Sequence, residues 1–262
     1  MSWLDLLARK PSADTSVATC MSSAYDAASR GDYKVALAIW TPLAHAGVAR
    51  AQSNIGACFS EGLGVEQNTK LAERWLLLAS EGGDPVGQRN LATLYFKGEG
   101  VEQDNERAAT LYRASAEQDD AQAQDMLSWM LIEGDGIAVD HAEARRWAEA
   151  AADQGVAGSM TRLGMIFHNA LGVERNAGEA AKWWERGAML GDADGQAMLG
   201  AACHLGAGVP RDPLAAMVWL LRARAGGSAL ANQFFGVARA ALHADQYAEA
   251  ERRAALPLEA AP

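Results

Sequence analysis

A stride of 36 residues organises this chain. Stepping from Leu91 in both directions lands on Ile55, Leu127, Leu163 and Leu199. A small residue follows each of the five, as Gly56, Ala92, Ser128, Gly164 and Gly200. The same stride joins Gly64, Gly100, Gly136, Gly172 and Gly208, each followed by Val or Ile. It also joins Ala72, Ala108, Ala144, Ala180 and Ala216, and then Trp75, Leu111, Trp147, Trp183 and Trp219. Four residue classes held in phase over five copies do not arise from composition. A period of roughly 20 to 50 residues is the signature of stacked supersecondary units, each too small to bury its apolar face alone. The chain is therefore expected to fold as one row of repeats rather than around a single central core.

Residues 84 to 119 serve as the type unit. Asp84-Pro85 reads as a helix start, an Asx side chain capping free N–H groups and proline suiting the first helical position. Leu91, Leu94 and Tyr95 share one face at helical spacing, which predicts helix A to about Lys97. Gly98-Glu99-Gly100-Val101 breaks it, glycine being suited to a left-handed cap. Asp104 then caps helix B, with Asn68, Asp140, Asn176 and Asp212 at equivalent sites. Helix B carries Ala108, Leu111, Ala114 and Ser115 inward and ends near Asp119, where other copies have Gly83, Gly155, Gly191 and Gly227. The small residue after the leucine lets helix A approach helix B closely, and the Trp or Leu of helix B is expected to wedge between repeats as core. Trp184, one residue off that phase, is left open between core and ligand cage.

The ends of the chain break the pattern. Residues 1–16 read as an amphipathic segment, Trp3-Leu4-Asp5-Leu6-Leu7, that either caps the first hairpin or is offered to a partner. Residues 17–47 read as a degenerate hairpin and 48–227 as the five repeats. Residues 228–256 read as a capping hairpin, and 257–262 as a tail.

Composition narrows the function classes. A formal net charge of −10 argues against nucleic-acid binding, which needs Lys and Arg against phosphate, and against anionic membrane surfaces. No run approaches the roughly 18 apolar residues of a membrane span. Cys20, Cys58 and Cys203 sit at no shared repeat position, which is not a disulfide framework and favours a reducing, cytoplasmic setting. The oligomeric state is left open.

The pattern around Leu91-Ala92, Tyr95, Gly98, Gly100-Val101, Asp104 and Ala108 resembles the Sel-1-like repeat family, a relative of the tetratricopeptide repeat. The resemblance covers about residues 48 to 227. The fourth copy departs with Ala170 for the first loop glycine and Asn176 for the aspartate. What the resemblance implies is an all-α fold, a right-handed α–α superhelical solenoid of helix-turn-helix repeats with the A helices lining a concave face. It also implies an adaptor role, by analogy of fold.

Catalytic and cofactor signatures are weak. No Ser-x-x-Lys pair occurs, since Leu7, Gly31, Gln67, Leu94 and Glu179 stand three residues before the lysines,. The Gly-x-Gly pairs lie between helices and are turns, not a nucleotide fingerprint. His168 and His204, one period apart, raise a metal reading, but helix axes about 8–10 Å apart suit it poorly. We therefore expect no catalytic residues, no metal and no cofactor. The promising positions lie two and five residues beyond the motif leucine, where repeat geometry requires nothing bulky. There Thr93, Phe96, Trp129, Ile132, Met165, His168 and His204 are expected to face the groove, with Arg89, Lys97, Asp125, Glu133 and Arg162 as its polar rim. An apolar patch with a polar rim marks an interaction site. The expected function is a non-catalytic scaffold holding a protein or peptide segment. The alternative is a small-molecule-binding regulator or a β-lactamase-like hydrolase.

Overall fold

The computed structural model describes residues 16–258. The Trp3–Leu7 segment and the end of the tail lie outside them. The described residues form fourteen α-helices and no strand. A first pair is α1 (Val17–Ser29) and α2 (Tyr33–His45). The A helices of the five repeats are α3 (Ala49–Glu61), α5 (Pro85–Lys97), α7 (Ala121–Glu133), α9 (Ala157–Asn169) and α11 (Ala193–Leu205). The B helices are α4 (Thr69–Glu81), α6 (Asn105–Ala116), α8 (His141–Asp153), α10 (Ala177–Met189) and α12 (Pro213–Ala225). A last pair is α13 (Ala231–Ala240) and α14 (Ala244–Ala255). The chain divides into two compact units, with the division inside α7. The first takes in the chain to Ala123 with Asp135–Ile137, and the second takes in Gln124–Gly134 with the chain from Ala138.

Helix boundaries follow the expected chemistry. The Asp84 carboxylate accepts from the Gly87 N–H at 2.8 Å, and Asp104 accepts from Arg107 N–H at 2.9 Å. Asn68, Asp140, Asn176 and Asp212 cap the other B helices in the same way. Val48 and Val156 occupy the Asp84 phase without a side-chain cap. Such caps are worth about 1 kcal/mol each, so α3 and α9 rely more on packing. Gly100 adopts φ +78°, and a Cβ there would lie 2.8 Å from the Thr69 side chain, at the start of the preceding B helix. Among the described residues two non-glycine residues enter the same left-handed region: Ala170 at φ 57° and Asp119 at φ 62°.

The packing of helix B differs from expectation. The Trp phase is half-buried throughout, at Trp75, Leu111, Trp147, Trp183 and Trp219, and so is Ala114. The core position is the next residue: Leu76, Tyr112, Ala148, Trp184 and Leu220 are each at most 2 % exposed. Geometry explains the correction. At about 100° per residue, the stripe through Ala72, Leu76 and Ala79 centres close to Ala72, with Leu76 about 30° to one side and Trp75 about 70° to the other. These buried side chains seat on the small residues of helix A. A Cβ at Gly56 would stand 2.6 Å from Leu76, and one at Gly164 would stand 2.2 Å from the Trp184 indole nitrogen. Trp184 is thus a core wedge, not part of a ligand cage.

Candidate functional site

The A-helix positions two residues beyond the motif leucine carry different residues in the two units, and each unit uses them differently. In the second unit, Trp129 and Ile132 on α7, Met165 on α9, Met198 on α11 and the loop residues Leu171 and Leu230 wall a cavity of about 370 Å³. That volume falls in the roughly 300–1,000 Å³ range of ligand-sized sites. Its polar edge is Glu133, Arg162, Asp192 and Asp194.

Hydrogen bonds between successive repeats hold that edge in place. Arg162 donates to Asp125 at 2.9 Å, and Ser159 donates to the same Asp125 oxygen at 2.5 Å. The Arg162 Nε is buried without a partner. Asp192 caps α11 through the Gly195 N–H at 2.7 Å and accepts from the Thr161 hydroxyl at 2.6 Å. Asp194 accepts from Ser228 at 2.6 Å. Counting Asp125, four carboxylates stand with one guanidinium, so the edge is acidic.

In the first unit the corresponding face is polar. A cavity of about 360 Å³ is lined by Ala57, Ser60, Asn90, Thr93, Lys97 and Glu99, among others. Thr93 is committed to structure, with its hydroxyl 2.8 Å from that of Tyr112 and donating to the Arg89 carbonyl at 3.0 Å. Arg89 reaches both oxygens of Asp120, the cap preceding α7, at 2.8 and 3.1 Å. Phe96 is half-buried on α5 and lines neither cavity.

The residues expected on the groove are therefore sorted by the structure. Trp129, Ile132, Glu133, Arg162 and Met165 share one cavity, and Thr93 and Lys97 share another. Arg89 and Asp125 sit in inter-repeat ion pairs. His168 lies with its ring 5.4 Å from Trp184, and its Nδ1, like that of His204, is buried without a partner. Burial, with Asp212 and Glu185 nearby, pushes the neighbouring Cys203 thiol up to about 11, and burial and Glu61 do the same for Cys58. Both are neutral thiols at physiological pH. Among the described residues no three His, Cys, Asp or Glu side chains converge as metal ligands, and no helix is long and apolar enough to cross a membrane.

Met198 and Leu230 are cavity residues that sequence reasoning missed. Met198 stands one period after Arg162, so its phase gave a usable signal. Leu230 comes from the connection into the last hairpin, where the periodicity has ended.

Comparison with known proteins places this geometry in context. The family model described as Sel1 repeat matches residues 49–84, 85–120, 121–156, 157–192 and 193–228. A Sel1 repeat protein from Oxalobacter formigenes, of known crystal structure, is 25% identical with a TM-score of 0.80, over 93% of this chain and 99% of that one. A protective antigen present in uropathogenic Escherichia coli strains, displaying an SLR fold, is 28% identical with a TM-score of 0.76. That alignment covers 92% of this chain and 53% of the antigen, so the present chain spans about half of it. A search of curated proteins found no match.

Proposed function

The chain belongs to the Sel1 repeat family, and from that membership we propose that it is a non-catalytic scaffold whose second unit holds a peptide segment of a protein partner against its A helices. Sel1 repeats generally mediate protein interactions, and the fold is typically a repeat scaffold rather than a catalyst. The observation that carries the reading is the cavity bounded by Trp129, Ile132, Met165 and Met198. The scaffold does not require bulky apolar side chains at the Trp129, Met165 and Met198 phases, which hold Ala57, Thr93 and Asn90 in the first unit, whereas the Ile132 phase holds both Ser60 and Phe96 there. Burying such side chains against a ligand is worth about 1.5–3 kcal/mol each, and an aromatic anchor ringed by polar groups is the usual make-up of a hot spot. The acidic edge favours a segment carrying Lys or Arg over nucleic acid.

The test replaces Met198 with a photo-crosslinking methionine analogue in the native cell. A discrete protein adduct, abolished by Trp129→Ala while the helical spectrum is retained, supports the reading. An adduct of unchanged yield in Trp129→Ala, or none at Met198 and at Met165, overturns it.

A further inference from the structure

The second repeat departs from the other four at one informative position. Trp75, Trp147, Trp183 and Trp219 mark the phase, and Leu111 stands there in the second copy. In the second unit the indole has a defined place. Trp183 packs on the cluster containing Ala152 and Leu163, and Trp219 on the cluster containing Ala188 and Leu199. The residues at those phases in the first unit are Ser80 and Leu91. There, Ser80, Leu91 and Leu111, with Leu77 and Tyr95, line a cavity of about 620 Å³ on the B-helix side of α4 and α6. The first unit thus leaves open the place that the second fills with its own tryptophans.

The surroundings of the opening define what fits it. Glu73, Glu81 and Glu106 line it, with Arg107 as the one cation. Arg107 is already engaged, 3.3 Å from Asp104 and over the Tyr95 ring at 5.6 Å. Glu73 accepts from the Tyr95 hydroxyl at 3.0 Å, and burial, reinforced by that bond, raises the phenol above its ordinary range. The lining therefore carries excess negative charge around an apolar floor. The second unit also shows how such an indole is covered from outside. Arg186 lies over Trp183 at 4.1 Å, and Arg222 lies over Trp219 at 5.3 Å. Cations over indole faces are favourable, and an acidic rim adds to that attraction.

We propose that the Leu111 opening of the first unit is a docking pocket for a tryptophan presented by a protein partner, with arginine or another basic residue beside it. The ring takes the place that Trp183 and Trp219 occupy in their own repeats, and the flanking cation meets Glu73, Glu81 and Glu106. The cavity has room for both parts, being well above the lower bound of about 300 Å³ for ligand sites. This site is separate in unit and in helix layer from the groove on the second unit and does not rest on it.

The probe is the capped tripeptide Arg-Trp-Arg, titrated into the ¹⁵N-labelled full chain and followed by amide shifts. The expected result is saturable perturbation at Ser80, Glu81 and Thr110, with a dissociation constant at or below about 1 mM, and none there with Arg-Ala-Arg. Leu111→Trp fills the pocket and weakens binding at least tenfold. Glu106→Lys alters an exposed side chain, leaves the fold intact and weakens binding at least fivefold, so it tests the rim even if the larger side chain disturbs packing. Absence of shifts at Ser80 and Thr110, or binding unchanged in folded Leu111→Trp or in Glu106→Lys, overturns the pocket. Shifts confined to Met165 and Met198 also overturn it while leaving the groove of the second unit standing.

Discussion

In the second unit Trp129, Ile132, Met165 and Met198 surround one cavity on the A helices, whereas Ser60, Asn90 and Thr93 line the cavity on the A helices of the first. On the B helices the order reverses. The second unit closes its inter-repeat space with Trp183 and Trp219, and the first leaves it open beside Leu111. Both units share the caps, the loop glycines and the small residues under helix B. The units thus diverge at half-buried phases, and each leaves apolar surface uncovered on a different helix layer. A repeat protein separates the residues that build it from those that give it a partner, because nearest-neighbour packing fixes the first set and ignores the second.

The largest effect should come from the shared scaffold. Trp184→Ala removes a side chain 2 % exposed that seats on Gly164, and should lose about 3–5 kcal/mol. Trp183→Ala removes a half-buried neighbour and should lose no more than about half as much. Denaturant unfolding of the two variants side by side measures this. Equal losses would mean that the Trp phase and its neighbour are both core, contrary to the assignment above.

Next comes the loop glycine, which should matter equally in both units if the scaffold is truly common to them. A Cβ at Gly100 meets Thr69 at 2.8 Å, and one at Gly208 meets the Ala177 carbonyl at 2.0 Å. Both glycines have positive φ. Gly100→Val and Gly208→Val should each lose about 2 kcal/mol or more, since a β-branched residue is an outlier at positive φ, and at Gly208 the neighbour is also backbone. A thermal melt that spares one of the two would show that the units are not built alike at this loop.

Partner binding should separate the units instead. With the partner captured at Met198, Trp129→Ala should weaken binding at least tenfold, about 1.4 kcal/mol, with a nearly unchanged melting temperature. Phe96→Ala in the first unit, at a residue lining neither A-face cavity, should weaken it less than threefold. Calorimetric titration reads both values. The reverse order would move the site to the first unit.

Much of this was legible before any coordinates. Asp84, Asp104 and Gly100 declare helix ends by local chemistry, so they are read one residue at a time. Tandem repetition then checks each reading five times over. What the sequence concealed was angular. A tryptophan repeated at one phase looks like core, but its burial depends on a rotation of about 70° that only the packing of Leu76, Tyr112 and Trp184 reveals. The candidate site was partly legible for the opposite reason: Trp129, Ile132 and Met165 stood out because no structural rule asked for them. Arg89 and Asp125 looked equally free, and their inter-repeat partners Asp120 and Arg162 were invisible in a single unit. Leu230 lay beyond the periodicity, where phase says nothing.

The smallest expected effect bears on the B-helix half of the comparison. If the first unit is open only because Leu111 replaces an indole, then Leu111→Trp restores the arrangement that Trp183 and Trp219 show in the second unit. The new ring would lie over Ser80 and Leu91, add apolar burial, and stabilise the chain by about 0.5–2 kcal/mol, the usual gain from filling a cavity at an unstrained site. The gain is limited because the position is half-buried and one face of the ring stays near solvent. Two further readouts separate filling from mere tolerance. The Arg107–Tyr95 stacking should persist, visible as an unchanged Tyr95 ring environment by NMR, and Leu76→Ala should cost the same with and without the new tryptophan, since Leu76 seats on Gly56 and not on the opening. A variant that melts lower than wild type would mean that overpacking wins. The first unit would then lack the place that Trp183 and Trp219 occupy, and the likeness between the two units would end at the backbone.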